Sequence, residues 1–110
     1  MTFDKLEITT AMESILIELY KKETQPAKFW KKLPPYHLSK YSYDHLGLIV
    51  TDLQKLTEHT YKTVLTNVKK LVELDMLRLN EQKSGKNYVL TENGFKKIEE
   101  IIKKYRAVLR

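Results

Sequence analysis

Residues 46–76 read LGLIVTDLQKLTEHTYKTVLTNVKKLVELDM, and the spacing of apolar and polar positions in this stretch decides the fold. Leu48, Ile49 and Leu53, with Leu56, supply one short amphipathic helix. A polar turn follows at Thr57-Glu58-His59, and Thr60 then offers the side-chain oxygen that accepts from an unpaired first-turn N–H. The second helix is predicted from about Tyr61 to Leu74, because Val64, Val68 and Leu71 stand at i, i+4 and i+7 and so share one inward face. Lys62, Thr66 and Lys69 repeat that spacing on the opposite side, with Lys70 beside them and Glu73 at the far end. A helix-turn-helix over about 47–75 results, with a polar, mostly basic stripe turned outward. Tyr61, Leu65 and Val72 form an apolar flank on the second helix, read as intramolecular packing.

Downstream, Met76 to Glu81 alternates apolar and charged residues, and Lys86 to Leu90 ends in Tyr88-Val89-Leu90. Gln82-Lys83-Ser84-Gly85 between them suits a hairpin turn. The hairpin, over about 76–91, carries Lys83 and Lys86 near its tip. Thr91 caps a last helix over about 92–109, with Glu92 in its first turn and Phe95, Ile98, Ile101, Ile102, Tyr105 and Leu109 as its apolar stripe.

Upstream, Ile8, Met12, Ile15, Leu16 and Leu19 recur at spacings of three and four, which predicts an amphipathic helix from about Leu6 to Lys22. Leu6 and Ile17 fall off that stripe and imply a second apolar contact, with the chain's own N-terminal region or with another subunit. Thr24-Gln25-Pro26 opens a helical turn toward Trp30, Pro34-Pro35 stops it, and Ser39 to Tyr43 has the alternation of a short strand. Phe29, Trp30, Leu33, Tyr36, Tyr41 and Tyr43 make this connection strongly aromatic. It is read as packing over the core, with an aromatic ligand cage, a base-stacking platform or a lid over a small-molecule effector as the other readings.

A chain of 110 residues has room for one ordinary domain, residues 1–110, and its composition is that of a folded, helix-rich protein. The absence of Cys removes disulfides, thiolate metal sites and thiol catalysis. No apolar run reaches the roughly 20 residues of a membrane span, and Asp4 and Glu7 interrupt any leader pattern, so a cytoplasmic location is expected. His37, His45 and His59 lack metal-ligand spacing and no Gly-rich phosphate loop occurs. The reading is therefore non-enzymatic, with no catalytic residue, metal or cofactor. The net charge of +6 is uneven: residues 1–55 hold eight Lys/Arg against seven Asp/Glu, and residues 56–110 hold twelve against seven. A basic second half suits a polyanion. The Lys pairs at 21–22, 31–32, 69–70, 96–97 and 103–104 are scattered and read mostly as solvated faces.

The segment Asp52 to Leu77 resembles the winged helix-turn-helix of MarR-like and ArsR-like regulators. Asp52-Leu53 and Leu56 look like the first helix of the motif, Thr60 like its hydroxyl cap, Thr63-Val64 and Val68 like the buried side of the recognition helix. Leu71-Val72-Glu73-Leu74-Asp75-Met76-Leu77 is similar to the closing turn, and Tyr88-Val89-Leu90-Thr91-Glu92-Asn93-Gly94 to the junction between wing and final helix. Two positions depart from the pattern. Asp75 stands where Gly is usual, a place that needs φ > 0 and that Asp tolerates; Glu58-His59 replaces a Gly-hydrophobic turn. The resemblance implies a mainly α fold with a small β-hairpin wing (α+β), and a transcriptional regulator that binds double-stranded DNA sequence-specifically as a homodimer. It places the recognition helix, about 60–74, in the major groove through Tyr61, Lys62, Thr66 and Lys69, with Thr60 and Lys70 on phosphates. Lys83, Ser84 and Lys86, in the wing at 82–87, reach the adjacent groove or its phosphates. Ile98, Ile101, Ile102, Tyr105 and Leu109 are the expected dimer interface. The competing readings are a protein-interaction module and a DNA-binding protein of replication or chromatin type.

Overall fold

The computed structural model describes residues 8–24, 46–82 and 85–109, the last five by backbone alone. Its elements are α1 (Thr10–Thr24), α2 (Val50–Thr57), α3 (Tyr61–Glu73), β1 (Leu77–Gln82), β2 (Gly85–Leu90) and α4 (Glu92–Leu109). Ile8 and Thr9 precede α1, so the first helix starts later than its apolar spacing predicts, and the Thr9 hydroxyl accepts from Met12 N–H at 3.2 Å. The aromatic connection from Phe29 to Tyr43, the turn residues Lys83 and Ser84, and the side chains of Tyr105 and Leu109 lie outside the described residues.

The core follows from the inward faces of the helices. Ile15, Leu16 and Leu19 of α1 are fully buried, as are Leu53 of α2, Val64, Val68 and Leu71 of α3, and Ile98 of α4. Helix α1 packs on α2, α3 and α4, so it is the central post of the bundle. Tyr20 of α1 meets Phe95 of α4 edge to face, with ring centroids 6.0 Å apart.

One expectation is corrected here. Leu48 and Ile49 are not helical: Leu48 forms an isolated antiparallel bridge with Tyr88, its N–H donating to the Tyr88 carbonyl at 3.1 Å and its carbonyl accepting from Tyr88 N–H at 2.9 Å. An unbroken apolar run such as 46–50 fits a buried strand as well as a helix, and the backbone partner 40 positions away decides the matter. Strand β2 thus lies between Leu48 and β1, which explains why its last four residues, Asn87 to Leu90, are all buried instead of alternating. The hairpin is antiparallel, in register from Leu77 opposite Leu90 to Gln82 opposite Gly85.

The joints are built from backbone conformation. Helix α2 ends at Glu58, which takes the left-handed conformation (φ 61°) and donates its N–H to the Gln54 carbonyl at 2.9 Å. Helix α3 closes with Asp75 at φ 58°, its N–H donating to Val72 O at 3.0 Å while Met76 N–H donates to Leu71 O at 2.9 Å. This is the six-to-one, five-to-two pattern usually served by Gly, and Asp occupies the positive-φ position as the sequence allows. Thr91 then caps α4, its hydroxyl accepting from Gly94 N–H at 3.1 Å and donating to the Asp75 carbonyl, and Asn93 Nδ2 donates to Asp75 Oδ2 at 2.7 Å. Helix, helix-turn-helix, hairpin and closing helix together form a winged helix-turn-helix.

Candidate nucleic-acid interface

Helix α3 presents two opposite faces. Thr60 is its N-cap, in extended conformation, and the hydroxyl accepts from Thr63 N–H at 3.2 Å as the sequence predicts. With Val64, Val68 and Leu71 fully buried, the helix cannot rotate about its axis, and Lys62, Thr66, Lys69, Lys70 and Glu73 are all exposed. Replacing Thr60 with Ala is expected to lower stability by about 1 kcal/mol, read as a lower midpoint in urea at unchanged slope; Thr60→Ser keeps the acceptor oxygen and restores the midpoint.

The turn before α3 is held from below. Ser14 Oγ of α1 lies 3.2 Å from His59 Nε2, so the Glu58-His59 pair that departs from the usual turn gains a polar contact with α1. Asn67 Nδ2 donates to Thr63 O at 2.7 Å and its Oδ1 accepts from the Thr9 hydroxyl at 3.5 Å.

The apolar flank of α3 packs away only in part, with Leu65 against the core. Tyr61 is 50% and Val72 36% exposed, and with Leu65, Leu79 of β1 (38% exposed) and Tyr88 of β2 they line a groove of about 820 Å³ between α3 and the hairpin. Lys69 and Glu73 of α3 and Lys86 of β2 are among its lining residues, and Lys86 pairs with Glu81 across the hairpin at 3.7 Å. Burial raises the Tyr88 phenol above its ordinary pKa, and the nearby Tyr61 adds to the rise.

Of the sequence-predicted contact residues, Thr60, Tyr61, Lys62, Thr66, Lys69 and Lys70 are all exposed; Lys62, Thr66 and Lys69 share the face opposite the buried one, with Lys70 beside them, whereas Tyr61 stands on the apolar flank, and Lys86 lines the groove with Tyr61 and Lys69. Lys83 and Ser84 lie outside the described residues. The α4 residues part company. Ile98 is fully buried and Ile101 only 9% exposed within the single chain, because α1 covers that face of α4, so these two have almost no surface left for a second copy. Ile102 is half-buried at the edge of the core.

The burial of Lys22, Asp52 and Asn87, with Glu23 beside Lys22, is not foreseen by the sequence reading. Lys22, one of a pair read as solvated, is 7% exposed, Asp52 1% and Asn87 fully buried. Desolvation by burial lowers the pKa of the Lys22 ammonium, while Glu23 and Asp52 pull it back up. Lys22 continues the buried stripe of α1, three positions after Leu19, so its spacing carries a signal of burial; of its acidic partners Glu23 adjoins it on α1 and Asp52 lies in α2. Among the described residues no cluster of His, Cys, Asp or Glu is arranged to hold a metal, and no helix is long and apolar enough to cross a membrane.

No protein-family model matches the chain, and no curated protein matches it significantly. Among solved structures, a mutant of S. aureus MepR, a winged-helix regulator of the MarR family, superposes with a TM-score of 0.64 at 20% identity. The match covers 97% of this chain and 67% of the MepR chain. The likeness is one of fold, and it spans the elements on either side of the helix-turn-helix as well as the motif itself.

Proposed function

We infer that this chain is a MarR-like regulator that binds double-stranded DNA sequence-specifically, as a homodimer, with α3 in the major groove and the hairpin on the adjacent groove or phosphates. The observation that carries the reading is the fixed orientation of α3. Three fully buried residues on one side hold Lys62, Thr66, Lys69 and Lys70 outward on the other, and Lys86 of the hairpin lines the same groove as Lys69. A rigid helix bearing two kinds of polar side chain suits both tasks of such a surface. Lysines donate to phosphate or to guanine O6 and N7, and a threonine offers hydroxyl or methyl to a base edge. The fold likeness to a winged-helix regulator supports the same placement. A two-fold pair of such chains sets two recognition helices about 34 Å apart, one turn of duplex. To that pairing we assign Ile102, Tyr105 and Leu109 of α4, since Ile98 and Ile101 are already buried within the single chain.

The test is fluorescence anisotropy on random and selected-site duplexes over a salt series. Lys62→Ala/Lys69→Ala is expected to weaken binding by more than about tenfold and to make the slope of log K against log salt shallower by up to about two. A preferred palindrome on selection supports the dimer; binding without sequence preference points to a replication or chromatin type of protein. A second reading has its own observation, the apolar groove beside α3, which fits an apolar side chain of a protein partner. No DNA binding at low salt puts that interaction module first.

A further inference from the structure

The buried charged residues of the described chain gather where three elements meet: Lys22 with Glu23 at the end of α1, Asp52 in the first turn of α2, and between them the segment 46–48 that pairs with β2. Lys22 Nζ lies 3.4 Å from Glu23 Oε1, and the same oxygen accepts from Gly47 N–H at 3.2 Å. Asp52, almost wholly buried in the first turn of α2, adds a smaller favourable charge toward the Lys22 ammonium. Segment 46–48 is in turn fastened to the wing, by the paired Leu48–Tyr88 backbone bonds and by Asn87 Nδ2, which donates to the Leu46 carbonyl. An unbroken polar path therefore runs from α1 through residues 46–48 to β2.

Buried ion pairs roughly break even against apolar groups of the same volume, so stability alone does not account for this cluster. Hydrogen bonds and ion pairs are directional where apolar contact is not, so what they add is a fixed position. The elements concerned are those whose relative position matters if α3 and the wing are to touch one duplex.

We propose that Lys22, Glu23 and Asp52 are positioning residues that hold the wing sheet in place against the helix-turn-helix, so that Lys86 and the outward stripe of α3 reach DNA together. This rests on the DNA-binding reading above. None of the three touches the nucleic acid; they act through residues 46–48 and β2.

The test is the variant Lys22→Met/Glu23→Gln/Asp52→Asn, which keeps volume and leaves an acceptor oxygen for Gly47. It is expected to melt cooperatively near the wild-type temperature. Amide exchange at residues 46–48 and 86–90 is expected to rise about tenfold, the scale of losing the Lys22–Glu23 ion pair that holds the Gly47 acceptor in place, with the interior of α3 unchanged. On DNA the salt slope becomes shallower by about one, and adding Lys86→Ala to the triple variant brings no further loss, whereas adding Lys62→Ala brings its full loss. Unchanged exchange at 46–48 and 86–90 overturns the proposal, as does a uniform rise over all elements or full additivity with Lys86→Ala. Should the triple variant not fold, Glu23→Ala is read instead: the same local exchange signature, restored by Glu23→Gln, supports the proposal, and its absence overturns it. If the wild-type chain binds no duplex DNA, the DNA reading fails by itself, and the exchange comparison still decides whether the cluster holds the sheet.

Discussion

Gly47→Ala is expected to lower the melting temperature by more than about 10 °C, and to free the segment around Leu48 from the wing before the helices unfold. Gly47 sits at φ +79°, where a Cβ carries a backbone strain of about 1–2 kcal/mol. The larger effect is steric. A methyl at this position would overlap the Tyr88 carbonyl group, at 2.8 Å from its carbon, and stand 2.9 Å from Val89 Cγ2. The atoms in the way are mostly backbone of the middle strand and cannot swing aside. Relief requires residues 46–48 to draw back, which breaks both Leu48–Tyr88 hydrogen bonds and the Asn87 contact with Leu46. Together these come to about 3 kcal/mol or more, a large share of the 5–15 kcal/mol that holds a small domain. A thermal melt followed by circular dichroism checks it, and a midpoint within a degree or two of wild type contradicts the packing of Gly47 on Tyr88.

The second large effect separates two neighbours on α3. Val68→Asp loses the burial of a valine, about 1.5–3 kcal/mol, and places a carboxylate where the native side chain has no exposure, at several kcal/mol more. The sum rivals the whole stability of the domain, so this variant is expected to be unfolded at 25 °C by circular dichroism and one-dimensional NMR. Lys69→Asp, one residue on, alters an exposed position and is expected to change stability by no more than about 0.5 kcal/mol. Its effect falls on DNA: a two-unit change of charge on the outward stripe is expected to weaken duplex binding more than tenfold, as roughly one favourable phosphate contact becomes a repulsive one. A folded Val68→Asp protein contradicts the facing of α3; a Lys69→Asp protein that binds DNA like wild type contradicts its use.

What the sequence makes legible is what local spacing controls. The buried face of α3, its Thr60 cap, the positive φ at Asp75 and the capping of α4 by Thr91 all depend on residues within a few positions of one another. Features set by distant partners are not legible in this way. Leu48 belongs to a sheet because of Tyr88, and the buried Lys22 is balanced in part by Asp52, 30 positions away. Ile98 and Ile101, expected at a dimer interface, are buried within the single chain, because a stripe on one helix does not reveal that α1 packs against it. The outward stripe of α3 was readable as a face; that an apolar groove runs beside it depends on how far the hairpin stands from the helix, which no pattern within either segment encodes.

The closure at the foot of the hairpin has a mechanical consequence. Thr91 N–H donates to Met76 O at 3.1 Å, and the Thr91 hydroxyl and Asn93 amide both grip Asp75, so the two strands leave the body of the protein from one clamped point. Segment 46–48 takes a second hold on β2 at Asn87 and Tyr88, so only about two strand steps, roughly 7 Å, separate Lys86 from the nearest fixed point. A tilt of about 10° there moves the end of that arm through only about 1.2 Å, well inside the roughly 3 Å of an N–H···O contact. Held at its foot and again at Tyr88, the base of the hairpin is stiff up to Lys86, and a substitution must loosen both holds before the reach of Lys86 changes.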